Sequence, residues 1–442
     1  MQFPFKSIEF TKSGELFNIN DKDSVLAWIR ENQLTDLLIL SHGWNNDKAE
    51  ADETYQDVMG FIAEEMKKIP DGAKKYGVIG IYWPSKKFAD KDLIPGGGAA
   101  GVENAEEKKL AAILDVLAGE FSDNGQKQVI DQLRVAGQRL TTDPNAPAEF
   151  VRKVGTLLQS IHQRSVQPED DPGTTLSDQE EPKALLVRIA EAEAMGDSRD
   201  NPTGGLSSPV GQRATNISGG GAAGGLGVFE GMVTGARNLL NLTTYYTMKE
   251  RAGNVGQKGM QPLLTTIIAS VPKINIHLVG HSFGGRVMAS AVATLPQGQA
   301  VNTLVLLQAA FSHHGFSNDF DGKGGKGLFR PAIDNKKVKG AIVISHTQND
   351  KAVGKAYAIA SRLANQTAQG FGGPDDKFGG IGANGAQRSG ANSTFRLRKN
   401  TPYIFQAGTI YNLNADDSIK GHSDIRSEAV ASAIVHAIHV KP

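Results

Sequence analysis

The sequence predicts an α/β fold: a mostly parallel sheet with helices on both faces, interrupted by a large helical insertion. Three observations carry this. Short apolar runs such as Leu37 to Leu40 and Ala341 to Ser345 alternate with segments whose apolar residues recur at helical spacing, the rhythm of a parallel sheet. Between about Lys86 and Gly227 that rhythm stops and only helical patterns remain. Residues 274 to 292, INIHLVGHSFGGRVMASAV, read as a strand, a sharp turn and a helix that present Ser282 at the turn.

Residues 3 to 18 read as a β-hairpin, with Phe5, Ile8 and Phe10 before a turn at Ser13-Gly14 and Leu16 and Phe17 after it. A helix follows around Ser24 to Asn32. The buried strand Leu37 to Leu40 ends in His42-Gly43-Trp44, and Asn45, Asn46 and Asp47 are cap-type residues for the next helix. In that helix Tyr55, Val58, Met59, Ile62 and Met66 form one apolar stripe, read as core packing. YGVIGIYWP, residues 76 to 84, is another strand.

The insertion, residues 87 to 227, splits a core made of residues 1 to 86 and 228 to 442. Its amphipathic segments carry Leu110 to Phe121, Val129 to Leu133, Phe150 to Ile161 and Leu185 to Ile189, and its polar middle, residues 165 to 182, reads as a solvated loop. The hexapeptide GGGAAG occurs at 96 to 101 and at 219 to 224. Each copy satisfies G-x-G-x-x-G, but neither closes an apolar strand in a βαβ unit, so dinucleotide binding is not expected. Two readings stay open: coincidence in a glycine-rich chain, or paired hinges on which a lid moves.

Residues 228 to 251 and 258 to 271 read as helices leading to the Ser282 turn. A strand and its loop follow at 302 to 317, then the strand Ala341 to Ser345 with His346 and Asp350 just beyond it. Residues 366 to 394, rich in Gly, Asn and Ser, read as mobile surface. The last strand is expected at Pro402 to Gln406, followed by a loop with His422 and a final helix from about Asp424 to Val440.

Composition narrows the chemistry. The 442 residues hold 47 Lys plus Arg and 47 Asp plus Glu, so no global field favours nucleic acid or an anionic membrane. The absence of cysteine excludes disulfides, thiolate metal sites and a cysteine nucleophile. No metal site and no cofactor are expected, and His42 stands without an H-E-x-x-H or similar cluster. The start lacks a cationic segment followed by a long apolar run, and no stretch reaches membrane-spanning length, so a cytoplasmic protein without a cleaved signal is expected. Oligomeric state is not readable.

A serine hydroxyl is a weak nucleophile at neutral pH and needs a base, and the base needs a carboxylate that orients it. His422, in GHSD, is the candidate base because imidazole titrates near working pH; an exposed loop histidine is the alternative. Asp350 is the candidate acid because it lies past the carboxyl end of a strand, where sites gather in open α/β sheets; a turn former is the alternative. Asp319 and Asp321 are fallback acids, and Asp424 with Ser423 is read as a cap for the last helix. The amides of Phe283 and Trp44 are candidates for an oxyanion hole. His313 and His314 either line a pocket or face solvent. Tyr82-Trp83-Pro84 is read as packing.

With these residues the chain resembles the α/β-hydrolase superfamily: SHGW at 41 to 44, GHSFGG at 280 to 285, the strand and loop with Asp350, and GHSD at 421 to 424. The YWPS strand at 82 to 85 is similar to that of a group of poorly characterised bacterial serine hydrolases. The resemblance covers roughly residues 35 to 86 and 228 to 440. It implies triad roles for Ser282, Asp350 and His422 and oxyanion roles for Trp44 and Phe283. The long insertion before the Ser282 turn departs from the superfamily, whose lids more often follow that turn's helix. The implied function is carboxylic ester hydrolysis through an acyl-enzyme, on a small-molecule or lipid ester. One alternative is a phospholipase or secreted antibacterial lipase that meets a membrane through segment 219 to 234. Another is a noncatalytic binding protein that uses the insertion as a partner surface.

Overall fold

The computed structural model describes residues 3–69, 74–85, 103–121, 123–164, 181–194, 224–354 and 379–441. Seven strands form one sheet in the order β1-β3-β2-β4-β5-β6-β7, and every neighbouring pair is parallel. The strands are β1 Phe5–Glu9, β2 Asp36–Ser41, β3 Tyr76–Tyr82, β4 Asn275–His281, β5 Thr303–Leu307, β6 Ile342–His346 and β7 Ile410–Asn414. The α/β class expected from the alternating pattern is what the chain adopts.

Side chains alternate across a strand, so consecutive apolar residues must feed two cores. In β2, Leu37 and Ile39 join one core, and Leu38 and Leu40 the other. The first core takes in α1 (Asp21–Glu31), α8 (Gln261–Ser270), α9 (Phe283–Ala293) and the insertion helices. The second takes in α2 (Lys48–Met66) and the closing helix Glu428–Ile438. Continuous apolar runs in the central strands therefore follow from burial on both faces.

The insertion contributes α3 (Glu103–Glu120), α4 (Asn124–Gln138), α5 (Ala146–Arg164) and α6 (Pro182–Ala194). It packs on α7 (Gly224–Asn254), where an added Cβ on Gly235 would lie 1.9 Å from the Leu186 carbonyl oxygen of α6. Arg251 of α7 joins Glu120 of α3 and donates to the Pro84 carbonyl oxygen at 2.6 Å, tying insertion to core just past β3. The GGGAAG copy at 96 to 101, the copy at 219 to 224 apart from Gly224, and the polar loop up to residue 180 lie outside the described residues. Met232 and Val233, the described apolar part of segment 219 to 234, are buried. Among the described residues no helix is long and apolar enough to cross a membrane.

Several expectations are corrected. Residues 3 to 18 are not a free hairpin: β1 is an edge strand parallel to β3, and the return arm adds only the antiparallel bridge Phe10 to Leu16. A two-stranded ribbon gains less than a strand zipped along a buried sheet, so the sheet captures the first arm. The last strand is Ile410–Asn414, not Pro402 to Gln406. Pro402 has no N–H for a ladder, and Tyr403 and Phe405 instead stack at 5.2 Å as buried plugs over the second core. The helical stretch before β4 is continuous, with a π-helical segment Val255–Met260 where a break was expected. Of the stretch read as mobile surface, residues 366 to 378 lie outside the described residues. Residues 381 to 386 are buried: the Ile381 and Gly382 amides donate to Phe311 and Ala309 carbonyls, and Thr347 donates to Gly382.

Candidate active site

Local backbone geometry singles out Ser282. Its φ is 56° and its ψ is −125°, a strained combination for a residue with a Cβ. The strain is held by the elements on either side. The Ser282 amide donates to the Leu307 carbonyl oxygen of β5 at 3.0 Å, and its carbonyl oxygen accepts from Ala310 and Gly285. The turn is also too tight for side chains. A Cβ on Gly280 would sit 2.4 Å from the Gly284 carbonyl oxygen, and one on Gly284 would sit 2.2 Å from the Ser41 carbonyl oxygen. These contacts explain the glycines of the motif.

The loop after β7 brings His422 to this turn. Its Nε2 lies 2.8 Å from Ser282 Oγ and its Nδ1 lies 2.8 Å from Asp350 Oδ2. Asp350, in the loop after β6, is buried, and its other carboxylate oxygen accepts the Val353 amide at 3.0 Å. A carboxylate only accepts, so Nδ1 carries the proton and Nε2 is left as the acceptor facing the hydroxyl. The His422 side chain keeps 12% exposure while that of Asp350 has none.

His42-Gly43-Trp44 runs beside the serine. A Cβ on Gly43 would lie 2.7 Å from Ser282 Cβ and 3.2 Å from Ser282 Oγ. Tyr55 of α2 anchors the end of β2: it accepts the His42 amide at 2.8 Å and donates to the Ile81 carbonyl oxygen at 2.6 Å. The His42 ring stacks on Trp83 at 5.6 Å and 6°. Its Nδ1 lies 2.9 Å from the Gly43 carbonyl oxygen, and its Nε2 accepts from the Trp83 amide at 3.3 Å. Burial holds the His42 pKa down to about 4, so the ring is neutral. Ser85 Oγ donates to the Asn46 carbonyl oxygen at 2.9 Å, so Trp83 and Ser85 brace the glycine-bearing loop from β3. Packing was expected of residues 82 to 84, and packing of this loop is what Trp83 does.

Trp44 and Phe283 lie together, their ring centroids 6.1 Å apart, with Tyr245 of α7 5.0 Å from Phe283 and 6.3 Å from Trp44. Trp44 Nε1 is buried without a hydrogen-bond partner among the described residues. Phe283 opens α9, and the first amides of a helix have no intrahelical acceptor. The structure therefore brings Ser282, Asp350, His422, Trp44 and Phe283 to one place at the carboxyl edge of the sheet.

The remaining candidates lie elsewhere or do other work. Asp321 accepts the Lys323 and Gly325 amides and Asp319 accepts the Gly324 amide, so both hold a surface turn. Asp424 accepts the Lys420 amide at 2.9 Å within the His422 loop; Ser427 caps the closing helix instead, its hydroxyl accepting from Val430. His313 and His314 are buried rather than solvated, their rings 4.1 Å apart, with His313 Nδ1 3.2 Å from Asn384 Nδ2. Among the described residues no group of three or more His, Asp or Glu is placed to hold a metal ion. Sequence reasoning passed over His281, whose Nε2 lies 2.8 Å from the His422 carbonyl oxygen, and Tyr245. His281 stands inside the motif next to Ser282; nothing local distinguishes Tyr245 from the other apolar positions of α7.

Comparison of the chain with protein-family models, with curated proteins and with solved structures found no match.

Proposed function

We propose that this protein is a serine hydrolase of the α/β-hydrolase type that cleaves carboxylic esters through an acyl-enzyme. One observation carries the reading: a serine at positive φ, hydrogen-bonded to an imidazole whose other nitrogen is bonded to a buried carboxylate. That arrangement has a direct chemical use. His422 Nε2 takes the hydroxyl proton while Ser282 Oγ bonds to the ester carbonyl carbon and the carbonyl π pair moves onto oxygen. The amides of Phe283 and Trp44 hold the resulting oxyanion. His422 returns the proton to the departing alkoxide as the carbonyl re-forms, leaving an acyl group on Ser282. Water then repeats the cycle, with His422 again taking and returning the proton, to release the acid.

Asp350 keeps His422 in the acceptor tautomer and stabilises the imidazolium that forms at each proton transfer. Trp44, Phe283 and Tyr245 form a packed aromatic cluster that makes the surroundings of the reacting serine apolar on that side.

A fluorophosphonate probe tests the reading. Wild type is expected to become labelled and the Ser282→Ala variant to stay unlabelled, with ester turnover in that variant falling by about 10^4-fold or more. A folded wild-type sample that takes up no probe and cleaves no member of an ester panel overturns it.

A further inference from the structure

His422 lies in a stretch between β7 and the closing helix that has neither strand nor helix structure. Two bonds hold its ring, but they can orient the ring only if its backbone is already placed. The backbone bonds of residues 420 to 425 are internal to the loop, Lys420 to Asp424, Asp424 to Gly421 and Ile425 to Ser423, and the outside bonds from Asn349 Nδ2 stop at the Asp416 and Ile419 carbonyls, at 3.0 and 2.7 Å. A bond from outside reaches the base itself. His281 Nε2 lies 2.8 Å from the His422 carbonyl oxygen, and the two rings are 5.0 Å apart at 39°. A carbonyl oxygen only accepts, so the proton of His281 is on Nε2 and Nδ1 is bare. The Nδ1 side faces Gly43, where an added Cβ would come within 3.2 Å of it.

We propose that His281 is the positioning residue for the general base: it ties the His422 backbone to the end of β4, so that the strand carrying the nucleophile also sets where the base stands. This rests on the triad reading of Ser282, Asp350 and His422. His281 is suited to the task because its backbone is locked in the sheet, in register with Leu307 of β5. Its ring spans from the Gly43 loop to the His422 loop, so the two loops and the turn are keyed by one side chain. The bond is constant over working pH, because desolvation first and the neighbouring His422 second hold the His281 pKa down to about 3.

The test compares His281→Gln, whose amide N–H reaches a similar distance, with His281→Asn, which is polar but too short. The readouts are the rate of Ser282 labelling by a fluorophosphonate, kcat and KM for an ester substrate, and thermal melting. His281→Asn is expected to lower the labelling rate and kcat by about a hundredfold with KM within about twofold, because a small misplacement of a catalytic group costs that much. His281→Gln is expected to regain at least tenfold of that loss. Equal loss in both variants, or labelling at the wild-type rate in folded His281→Asn, overturns the positioning role. Failure of the wild type itself to label would instead overturn the hydrolase reading, so the two failures are distinguishable.

Discussion

Asp350 meets His422 through one carboxylate oxygen at 2.8 Å while its other oxygen accepts the Val353 amide at 3.0 Å. The carboxylate is thus held at both oxygens, and its direction toward Nδ1 is set by the chain turn after β6. Such an acceptor dictates which imidazole nitrogen keeps the proton.

Asp350→Asn replaces that acceptor with a group that can present N–H to Nδ1, favouring the tautomer whose Nε2 faces Ser282 with a proton. Ester turnover is expected to fall by about 10^4-fold at unchanged fold. The measurement is kcat alongside circular dichroism. Turnover within about tenfold of wild type would remove Asp350 from the proposed triad.

Gly43→Ala would place a methyl carbon 2.7 Å from Ser282 Cβ and 3.2 Å from its hydroxyl oxygen. The loop must withdraw, and with it the Trp44 amide. A rate loss of about a hundredfold or more is expected, as for removal of one oxyanion donor. The stability cost of such overpacking is about 1 to 3 kcal/mol. Probe labelling together with a melting curve separates the two effects; labelling at the wild-type rate would mean that the 43–44 link does not border the reacting oxygen.

Acid should weaken the fold through the two neutral histidines. His42 stays unprotonated in the folded protein down to about pH 4 and His281 to about pH 3, whereas the unfolded chain takes up each proton near 6.5. Below 6.5 the unfolded state therefore binds more protons, so stability falls as pH falls, and the loss levels off only below the folded values. Each ring contributes up to about 1.4 kcal/mol per pH unit within its window. Urea denaturation at about pH 7 and about pH 5 checks this. Equal stability at both, after the carboxylates are allowed for, would contradict the neutral state of these two rings in the folded protein.

The Glu120 side chain, 8% exposed, lies between Arg251 and Lys12. Burial alone would raise its pKa, but the Arg251 and Lys12 charges outweigh burial and hold it below the usual carboxylate value. Glu120→Gln leaves the Arg251 guanidinium buried with its counter-charge gone, and should cost about 3 kcal/mol. The measurement is the denaturation midpoint. A loss under about 1 kcal/mol would mean that Arg251 does not depend on Glu120 for its burial.

How much of this was legible depends on how local each signal is. The six residues of GHSFGG specify their own turn, since the glycines are needed where backbone meets backbone. The Asp47 cap reads off directly too, because its side chain accepts the Glu50 amide three residues on. The apolar runs announce strands because both faces of the sheet are buried. The edges were less legible. Phe5 to Phe10 carries a hairpin pattern, and only the free edge of β3 decides that it pairs in parallel. Tyr403 and Phe405 look like a strand but serve as packing plugs.

By itself the sequence determined an α/β chain with a helical insertion, a serine on a tight turn, and an acid and a histidine following in that order. The tertiary structure decided the rest. Ser282 and His422 are 140 residues apart, and their 2.8 Å contact exists because β4 and β7 end on the same edge of one sheet. The same registry sets His281 under the His422 carbonyl and Trp83 against His42. Spacing along the chain encodes local backbone geometry; which loops share an edge is settled only by strand order and the two cores that enforce it.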